Sequence, residues 1–357
     1  MRIAIACGGT GGHVFPGVAT GEVLKARGHD VRLWLAGRDV ENASAAAWDG
    51  PVVRVRAEGL PFRLSLGTAR AAWRFVVATL QCRRLMRVDR PAVVLAMGGF
   101  GAVGPVMAAR CLGVSVVLHE ANAVPGRAVS LLARFADVVA LTFDNAAGAL
   151  RGVPSVVTGL PVRRDSGARF DARTLDPGVF TVVVMGGSQG AQRLNRTACQ
   201  ALCSLHARGS PIQVVHLAGV RDEDVVRATY ERAGVRAVTY GFLAEMSKAY
   251  GAADLAVSRA GAGSCVELCL YGVPALLVPL PEARRDHQTA NAQELVDAGA
   301  ADMCAQTELS GDRLAGYIER FRNDEDKRTA MRAAMRRFAR PDAAARLADL
   351  VEKTAQE

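Results

Sequence analysis

Four glycine-rich loops, each between a short apolar run and a longer helical stretch, hold the residues of this chain best suited to chemistry. They are Gly8-Gly9-Thr10-Gly11-Gly12-His13-Val14-Phe15-Pro16, Gly98-Gly99-Phe100-Gly101, Gly186-Gly187-Ser188-Gln189-Gly190-Ala191 and Ser258-Arg259-Ala260-Gly261-Ala262-Gly263-Ser264. Glycine lets the backbone approach a ligand closely. The exposed N–H groups and the positive end of the following helix then suit a phosphate. For any one loop, a simple tight turn explains the glycines equally well. Their recurrence in both halves of the chain at equivalent positions favours anion binding. The spacings exclude two rivals. No loop has the G-x-x-x-x-G-K-[ST] arrangement of a nucleoside triphosphatase, and Val14 stands where the third glycine of a dinucleotide loop belongs.

The elements that must position these loops form a repeated pattern. Arg2–Cys7, Val31–Ala36, Val93–Met97, Val114–His119 and Val138–Thr142 read as short, buried, β-branched strands, with helical stretches at Pro16–Arg27, Thr68–Val88 and Gly126–Phe135. The pattern restarts with Phe180–Met185, Gln213–Leu217, Ala237–Tyr240, Leu255–Val257 and Ala275–Val278, after a polar linker at Val162–Gly178. Asp324–Glu357 reads as two helices broken near Pro341. Alternation of this kind predicts an α/β fold of two Rossmann-like, doubly wound parallel-sheet domains facing across a cleft, with ligands at the C-terminal strand ends. The expected division is 1–163, 164–340, and a terminal helix over 341–357 that packs back on the first domain.

Composition sets the wider bounds. The 357 residues suit two domains. No run approaches the roughly 20 apolar residues of a membrane span, and the N-terminus lacks the pattern of a secretory signal. The eight cysteines form no C-x-x-C pair; Cys199 with Cys203 and Cys265 with Cys269 lie one helical turn apart and read as small buried hydrophobes. A cytoplasmic protein is expected. Residues 1–163 hold 19 Lys+Arg against 10 Asp+Glu, and residues 164–357 hold 25 against 25, so the whole +9 excess sits in the first half. That half calls for an anionic partner. Nucleic acid is disfavoured: there is no helix-turn-helix or RNA-recognition signature, and aromatics are only 5%.

Further motifs join the loops in order: Met97-Gly98-Gly99-Phe100, His119-Glu120-Ala121-Asn122, Thr158-Gly159-Leu160-Pro161-Val162-Arg163, Ser258-Arg259-Ala260-Gly261 followed by Glu267, and Asp286-His287-Gln288-Thr289-Ala290-Asn291-Ala292. With Gly8–His13 and Gly186–Ala191, this ordered set resembles the MurG family of UDP-N-acetylglucosamine transferases across nearly the whole chain. The resemblance implies the GT-B fold and a peripheral enzyme at the cytoplasmic face of a bacterial cell membrane. It implies an inverting transfer of N-acetylglucosamine from UDP-N-acetylglucosamine to the 4-hydroxyl of the muramoyl sugar of lipid I, an undecaprenyl-diphosphate-linked muramoyl-pentapeptide. The product would be lipid II for peptidoglycan synthesis, with UDP released.

The resemblance also distributes roles. On the donor side it places Thr10, Gly11, Gly12, Asn122, Arg163, Ser188, Leu243, Ala262, Gly263, Ser264, Cys265, Val266, Glu267 and Gln288. Glu267 would accept the ribose hydroxyls, although an acid near a helix start also complements the dipole. Leu243 would face the uracil through its backbone, and Gln288, with His287 and Asn291, would bind sugar hydroxyls. On the acceptor side it places Gly12, His13, Gly98, Gly99 and Phe100. The base that takes the hydroxyl proton is His13, whose ordinary pKa near 6.5 suits the task, or else Glu120; a phosphate-orienting His13 is an equal alternative. The chain departs from the family at Phe100, where Tyr is usual, at Gly101–Pro105, and at Ala262-Gly263-Ser264-Cys265. A related glycolipid glycosyltransferase and a UDP-sugar epimerase are the rival functions.

Neither a cofactor nor a metal is expected. Asp222-Glu223-Asp224 and Asp324-Glu325-Asp326 read as solvated acidic faces. Pro61–Arg90 interleaves bulky apolar residues with seven arginines and one acid. It reads either as a surface that docks on an anionic membrane or as a packed helix with a basic outer face.

Overall fold

The computed structural model describes residues 1–8, 11–37, 41, 45, 48–55, 66–150, 152–162, 175–186, 191–243 and 246–357, with 66–72 described by their backbone alone. The chain divides into two compact units, Met1–Arg163 with Arg340–Glu357, and Arg164–Ala339.

The first unit holds β1 (Arg2–Cys7), α1 (Gly11–Ala26), β2 (Asp30–Leu35), β3 (Val52–Arg54), α2 (Leu66–Val88), β4 (Val93–Ala96), α3 (Val103–Cys111), β5 (Ser115–Glu120), α4 (Arg127–Leu132), β6 (Val138–Leu141) and β7 (Ser155–Val157). Its seven strands run parallel in the order β3-β2-β1-β4-β5-β6-β7. The order reverses between β1 and β4, the place where an open parallel sheet leaves a crevice at its C-terminal edge. Gly8 follows β1 directly, and Gly98 follows β4 after Met97. One sheet face is covered by α2 and α3, through Ala78, Cys82, Met86 and Val106 against Ala4, Ala6, Val94 and Val116. The other is covered by α1 and by the terminal helix Ala343–Thr354 (α12), whose Leu347, Ala348 and Val351 pack with Ile3, Ile5, Val18 and Leu24. Arg27 closes the edge of that packing with bonds of 2.7 and 2.8 Å to Asp349 and Glu352.

The second unit holds β8 (Phe180–Met185), α5 (Gln192–Ala207), β9 (Ile212–Leu217), α6 (Glu223–Ala233), β10 (Ala237–Tyr240), α7 (Met246–Ala252), β11 (Leu255–Ser258), α8 (Ala262–Tyr271), β12 (Ala275–Leu277), α9 (His287–Asp297), β13 (Ala301–Met303), α10 (Gly311–Asn323) and α11 (Glu325–Phe338). Its order, β10-β9-β8-β11-β12-β13, repeats the first unit's topology, with the switch between β8 and β11.

Two features depart from the expected elements. The helix expected from Pro16 begins at Gly11, so Gly11, Gly12 and His13 form its first turn and Pro16 lies inside it. The Pro16 carbonyl accepts the Thr20 hydroxyl at 2.9 Å. The sheets are also longer than expected, because β3, β7 and β13 are three-residue edge strands too short to show a period. The two acidic clusters sit at helix starts: Asp222 and Asp324 are the N-caps of α6 and α11, and Asp324 accepts from the Lys327 amide at 2.9 Å. Among the described residues, no group of three His, Cys, Asp or Glu forms a metal cluster, and no helix is long and apolar enough to cross a membrane.

Candidate active site

In the first unit the loops after β1 and β4 meet backbone to backbone. A Cβ on Gly8 would lie 2.5 Å from the Gly101 Cα, and a side chain on Gly99 would strike the Gly8 carbonyl. Gly98 and Gly99 have φ of 90° and 72°, a conformation that favours glycine. The bare faces of these two residues seat the His13 imidazole: their Cβ positions lie 3.4 Å from its Cε1 and 3.3 Å from its Cδ2. The glycine pair is therefore needed twice, for the turn and for the ring. Burial lowers the His13 pKa below its ordinary value, partly offset by the Met97 backbone, so the imidazole is neutral near pH 7.

β5 brings His119 and Glu120 to the same edge. His119 is buried, and its Nε2–H donates to the Gly159 carbonyl at 3.2 Å. Burial lowers its pKa to about 4; the Gly159 carbonyl opposes that shift, and the nearby His13 adds to it. His216 in the second unit, buried between Tyr230 and Asn195, is lowered to about 3. Both histidines are depressed, so the unfolded chain takes up protons first as pH falls. Their stability contribution is complete above pH 6.5 and lost toward pH 4 and 3. Each is expected to add about 1.4 kcal/mol of destabilisation per pH unit in that window. Urea unfolding midpoints of wild type and His119→Gln over this range check it, and equal slopes count against it.

Glu120 is only 2% exposed. One oxygen accepts from the Asn122 amide (2.9 Å) and the Asn122 side-chain Nδ2 (3.1 Å), the other from the Gly126 amide (2.8 Å). The carboxylate thus shapes the loop over 121–126 and orients Asn122. The Phe100 ring is half-buried and stands 6.3 Å from that of Phe75 on α2. Thr10, with Gly9, lies outside the described residues.

In the second unit, Gly261 caps α8 without any side-chain hydrogen bond, and the first helical bond runs from the Cys265 amide to the Gly261 carbonyl at 3.0 Å. The amides of Ala262, Gly263 and Ser264 precede it, as the helix geometry requires. Ala262, Cys265 and Val266 bury their side chains, and the Cys265 amide is already engaged within the helix. Burial pushes the Cys265 thiol up to about 12. Glu267 is the sixth helical residue, beyond the first turn, which removes the simple dipole reading. Its Oε2 accepts the Tyr250 hydroxyl at 2.7 Å; Tyr250 is itself buried and stacked on Tyr271 at 5.2 Å.

Two long-range clamps fix the loops around this helix start. Arg259 is buried and donates at 3.1 Å to both the Val278 and Pro279 carbonyls, and also to Gln306. Asn291 is fully buried with its Nδ2 on the Ala260 carbonyl at 3.1 Å, so it shapes the loop and does not face a sugar. The Gln288 Oε1 accepts from the Leu280 amide at 2.9 Å, and His287 Nδ1–H donates to the Arg284 carbonyl at 2.8 Å. Between them Arg285 and Asp286 hold φ of 57° and 52°, a strained pair of the kind found at ligand sites. Leu243 is half-buried beside exposed Phe242 in the turn after β10. Arg163 and Ser188 lie outside the described residues.

Tyr250 and the structural role of Arg259 escape sequence reasoning. Arg259 lies inside a quoted motif, but Tyr250 stands 17 residues from Glu267 with no local signal.

Residues 3–141 match the glycosyltransferase family 28 N-terminal domain, and residues 181–347 match the glycosyltransferase family 28 C-terminal domain. The chain is 40% identical over 367 residues, spanning 99% of itself and 98% of the relative, to the UDP-N-acetylglucosamine--N-acetylmuramyl-(pentapeptide) pyrophosphoryl-undecaprenol N-acetylglucosamine transferase of Halorhodospira halophila. It is 39% identical over 344 residues, 96% of each chain, to the protein of that name from Methylococcus capsulatus. The crystal structure of Acinetobacter baumannii MurG superposes with a TM-score of 0.81 at 31% identity, covering 99% of both chains. A UDP-N-acetylglucosamine 2-epimerase structure from Listeria monocytogenes, at a TM-score of 0.73 and 12% identity, shares the fold alone.

Proposed function

This chain belongs to the MurG family within glycosyltransferase family 28, and from that premise we propose that it transfers N-acetylglucosamine from UDP-N-acetylglucosamine to lipid I. The muramoyl 4-hydroxyl oxygen forms a bond to the anomeric carbon as the bond to UDP breaks. Configuration inverts to a β-1,4 linkage, the hydroxyl proton passes to a base, and UDP carries away the bonding pair.

The observation that carries this reading is the N-terminus of α8, which has no side-chain cap, together with Glu267 on that helix held by Tyr250 of α7. Amides at a helix start are pre-aimed donors for the charge that develops on a departing diphosphate. A carboxylate held by a buried phenol is pre-oriented to accept two ribose hydroxyls. Ser188 and Arg163 would join the diphosphate, Leu243 would face the uracil, and Gln288 would meet the sugar. In the first unit, Gly11, Gly12 and Thr10 would border the transferred sugar with Asn122. Gly98, Gly99 and Phe100 would border the acceptor, and His13 would take the proton. Glu120, with both oxygens engaged, supports Asn122 and is the weaker base.

The deciding test is transfer of labelled sugar to a short-chain lipid I analogue, with UDP-glucose and UDP-galactose alongside. A β-linked product from the N-acetylglucosamine donor alone supports the assignment. Tight UDP binding without transfer directs attention to another acceptor or to epimerisation of the donor.

A peripheral site on the cytoplasmic face of the membrane belongs to the same proposal. On α2, Trp73, Val76, Val77 and Leu80 are exposed at i, i+3, i+4 and i+7, Trp73 at 67%. Ala78, Cys82 and Met86 bury the opposite face. Arg74, Arg84 and Arg87 are exposed beside this outer apolar stripe. An outer apolar stripe flanked by arginines is the pattern an interfacial helix carries. Trp73→Glu with Val77→Glu is expected to lower co-sedimentation with anionic vesicles by roughly tenfold or more, while transfer to a soluble short-chain acceptor is kept. Undiminished vesicle binding removes this face from the membrane contact.

A further inference from the structure

The second unit holds a buried polar chain outside the residues assigned to the transfer. Asn195 is the fourth residue of α5, the helix that follows the Gly186–Ala191 loop; His216 lies on β9 and Tyr230 on α6. All three are at most 2% exposed. The Asn195 Nδ2 donates to the Ala218 carbonyl and to the Asp222 carboxylate, both at 2.8 Å. A carbonyl and a carboxylate oxygen both accept, so the amide has one orientation and Asn195 Oδ1 faces His216 as an acceptor. It accepts from His216 Nε2–H at 3.2 Å. Burial keeps the imidazole neutral, so its Nδ1 carries a lone pair and accepts the Tyr230 hydroxyl at 2.9 Å. The chain is thus satisfied throughout and runs in a single direction.

It ends on the turn after β9, residues 218–222. Asp222 stands at the N-cap position of α6 yet makes no side-chain bond to its own helix, the usual task of an aspartate there. Its carboxylate is turned to Asn195 instead. The same turn lies against the one that follows β10. The Ala218 amide donates to the Tyr240 carbonyl at 2.9 Å. A Cβ on Gly241 would strike the Glu223 carboxylate and lie 3.1 Å from the Val220 Cα. The bare face of Gly241 therefore lets the main chain of 241–243 rest on the β9 turn. Both turns follow neighbouring parallel strands at the C-terminal edge of the sheet, where ligands bind in this architecture.

We propose that Asn195, His216 and Tyr230 are positioning residues that set the nucleobase selectivity of the donor site, by fixing the turn after β9, and with it Gly241–Leu243, relative to α5. The proposal rests on the reading of Leu243 as facing the uracil through its backbone. Uracil presents a carbonyl oxygen and a ring N–H; cytosine has an amino group and a bare ring nitrogen in their places. A main chain held in one position tells these edges apart, because the wrong base leaves its polar groups unpaired. A main chain free to shift does so less well.

Calorimetric titration of the full chain with UDP and with CDP tests this. Ribose and diphosphate are common to the two, so a general loosening of the fold weakens both alike. The wild type is expected to prefer UDP. Tyr230→Phe keeps the ring and removes the hydroxyl that holds His216. Asp222→Ala releases Asn195 at the partly exposed end without removing a capping bond, and decides the matter alone where Tyr230→Phe does not fold. Each is expected to weaken UDP roughly three- to tenfold and to leave CDP unchanged, so the preference shrinks by that factor. The KM for UDP-N-acetylglucosamine is expected to rise while kcat is kept. The double variant is expected to lose no more than the larger single loss, because both changes act through one chain. Equal weakening of UDP and CDP, a preference kept in the folded variants, or additive losses overturn the inference. A wild type without preference for UDP overturns the donor reading itself, and this inference with it.

Discussion

Replacing His13 with alanine is expected to lower kcat by about two to four orders of magnitude, with affinity for UDP-N-acetylglucosamine nearly unchanged. The physical case rests on three features of the first unit. The imidazole sits at the strand-order switch of the sheet, at the start of α1, against the bare faces of Gly98 and Gly99. Its pKa is depressed by burial, so it is an unprotonated acceptor at neutral pH. The sign of the pH effect follows. Proton uptake disables the base, so activity is lost as pH falls, and the acid limb of kcat/KM lies below pH 6.5, the ordinary histidine value. Single-turnover rates and donor titration of the variant separate chemistry from binding. If His13 instead orients a phosphate, the loss appears in KM for the lipid acceptor and kcat survives; turnover equal to wild type eliminates it as base.

Replacing Glu267 with alanine is expected to weaken donor binding by one to two orders of magnitude, about 1.5–3 kcal/mol for hydrogen bonds to a charged group. Calorimetric titration with UDP and with UDP-N-acetylglucosamine should show equal losses, since the ribose is common to both. Tyr250→Phe gives a graded control. It keeps the carboxylate but removes the 2.7 Å bond that orients it, so a smaller loss of the same kind is expected. A Glu267→Ala protein that binds UDP as wild type does would remove the residue from the site and leave α8 to act through its amides alone. Because Tyr250 is buried and stacked on Tyr271, thermal unfolding of both variants separates a lost contact from a lost fold.

Much of this architecture is legible in the sequence, and the reason is locality. A buried parallel strand is a short β-branched run, and β1, β4, β5, β8 and β9 each announce themselves that way within a few residues. The glycine loops follow directly on such runs, and Gly98 and Gly99 carry the positive φ that their residue type predicts. The three-residue edge strands β3, β7 and β13 are only partly buried and carry no apolar run, so they stay hidden, whereas the equally short β12 is wholly buried and is readable. The start of α1 also differs from what the sequence suggests. Pro16 looks like a first-turn proline, but the helix begins five residues earlier, and the side chain of Thr20 takes up the Pro16 carbonyl.

The strand–loop–helix order, the two halves, the glycine loops at the strand ends and the basic excess of residues 1–163 are all readable from the sequence. The tertiary structure alone decided what each polar side chain does. Glu120 shapes a loop, Asn291 and Arg259 clamp the start of α8, Tyr250 holds Glu267, and His119 is tied to Gly159 across 40 positions. Periodicity and turn chemistry act over a few residues and can be read in any window of the chain. Hydrogen-bond partners and cavities are set by which strands become neighbours, and no local window contains that.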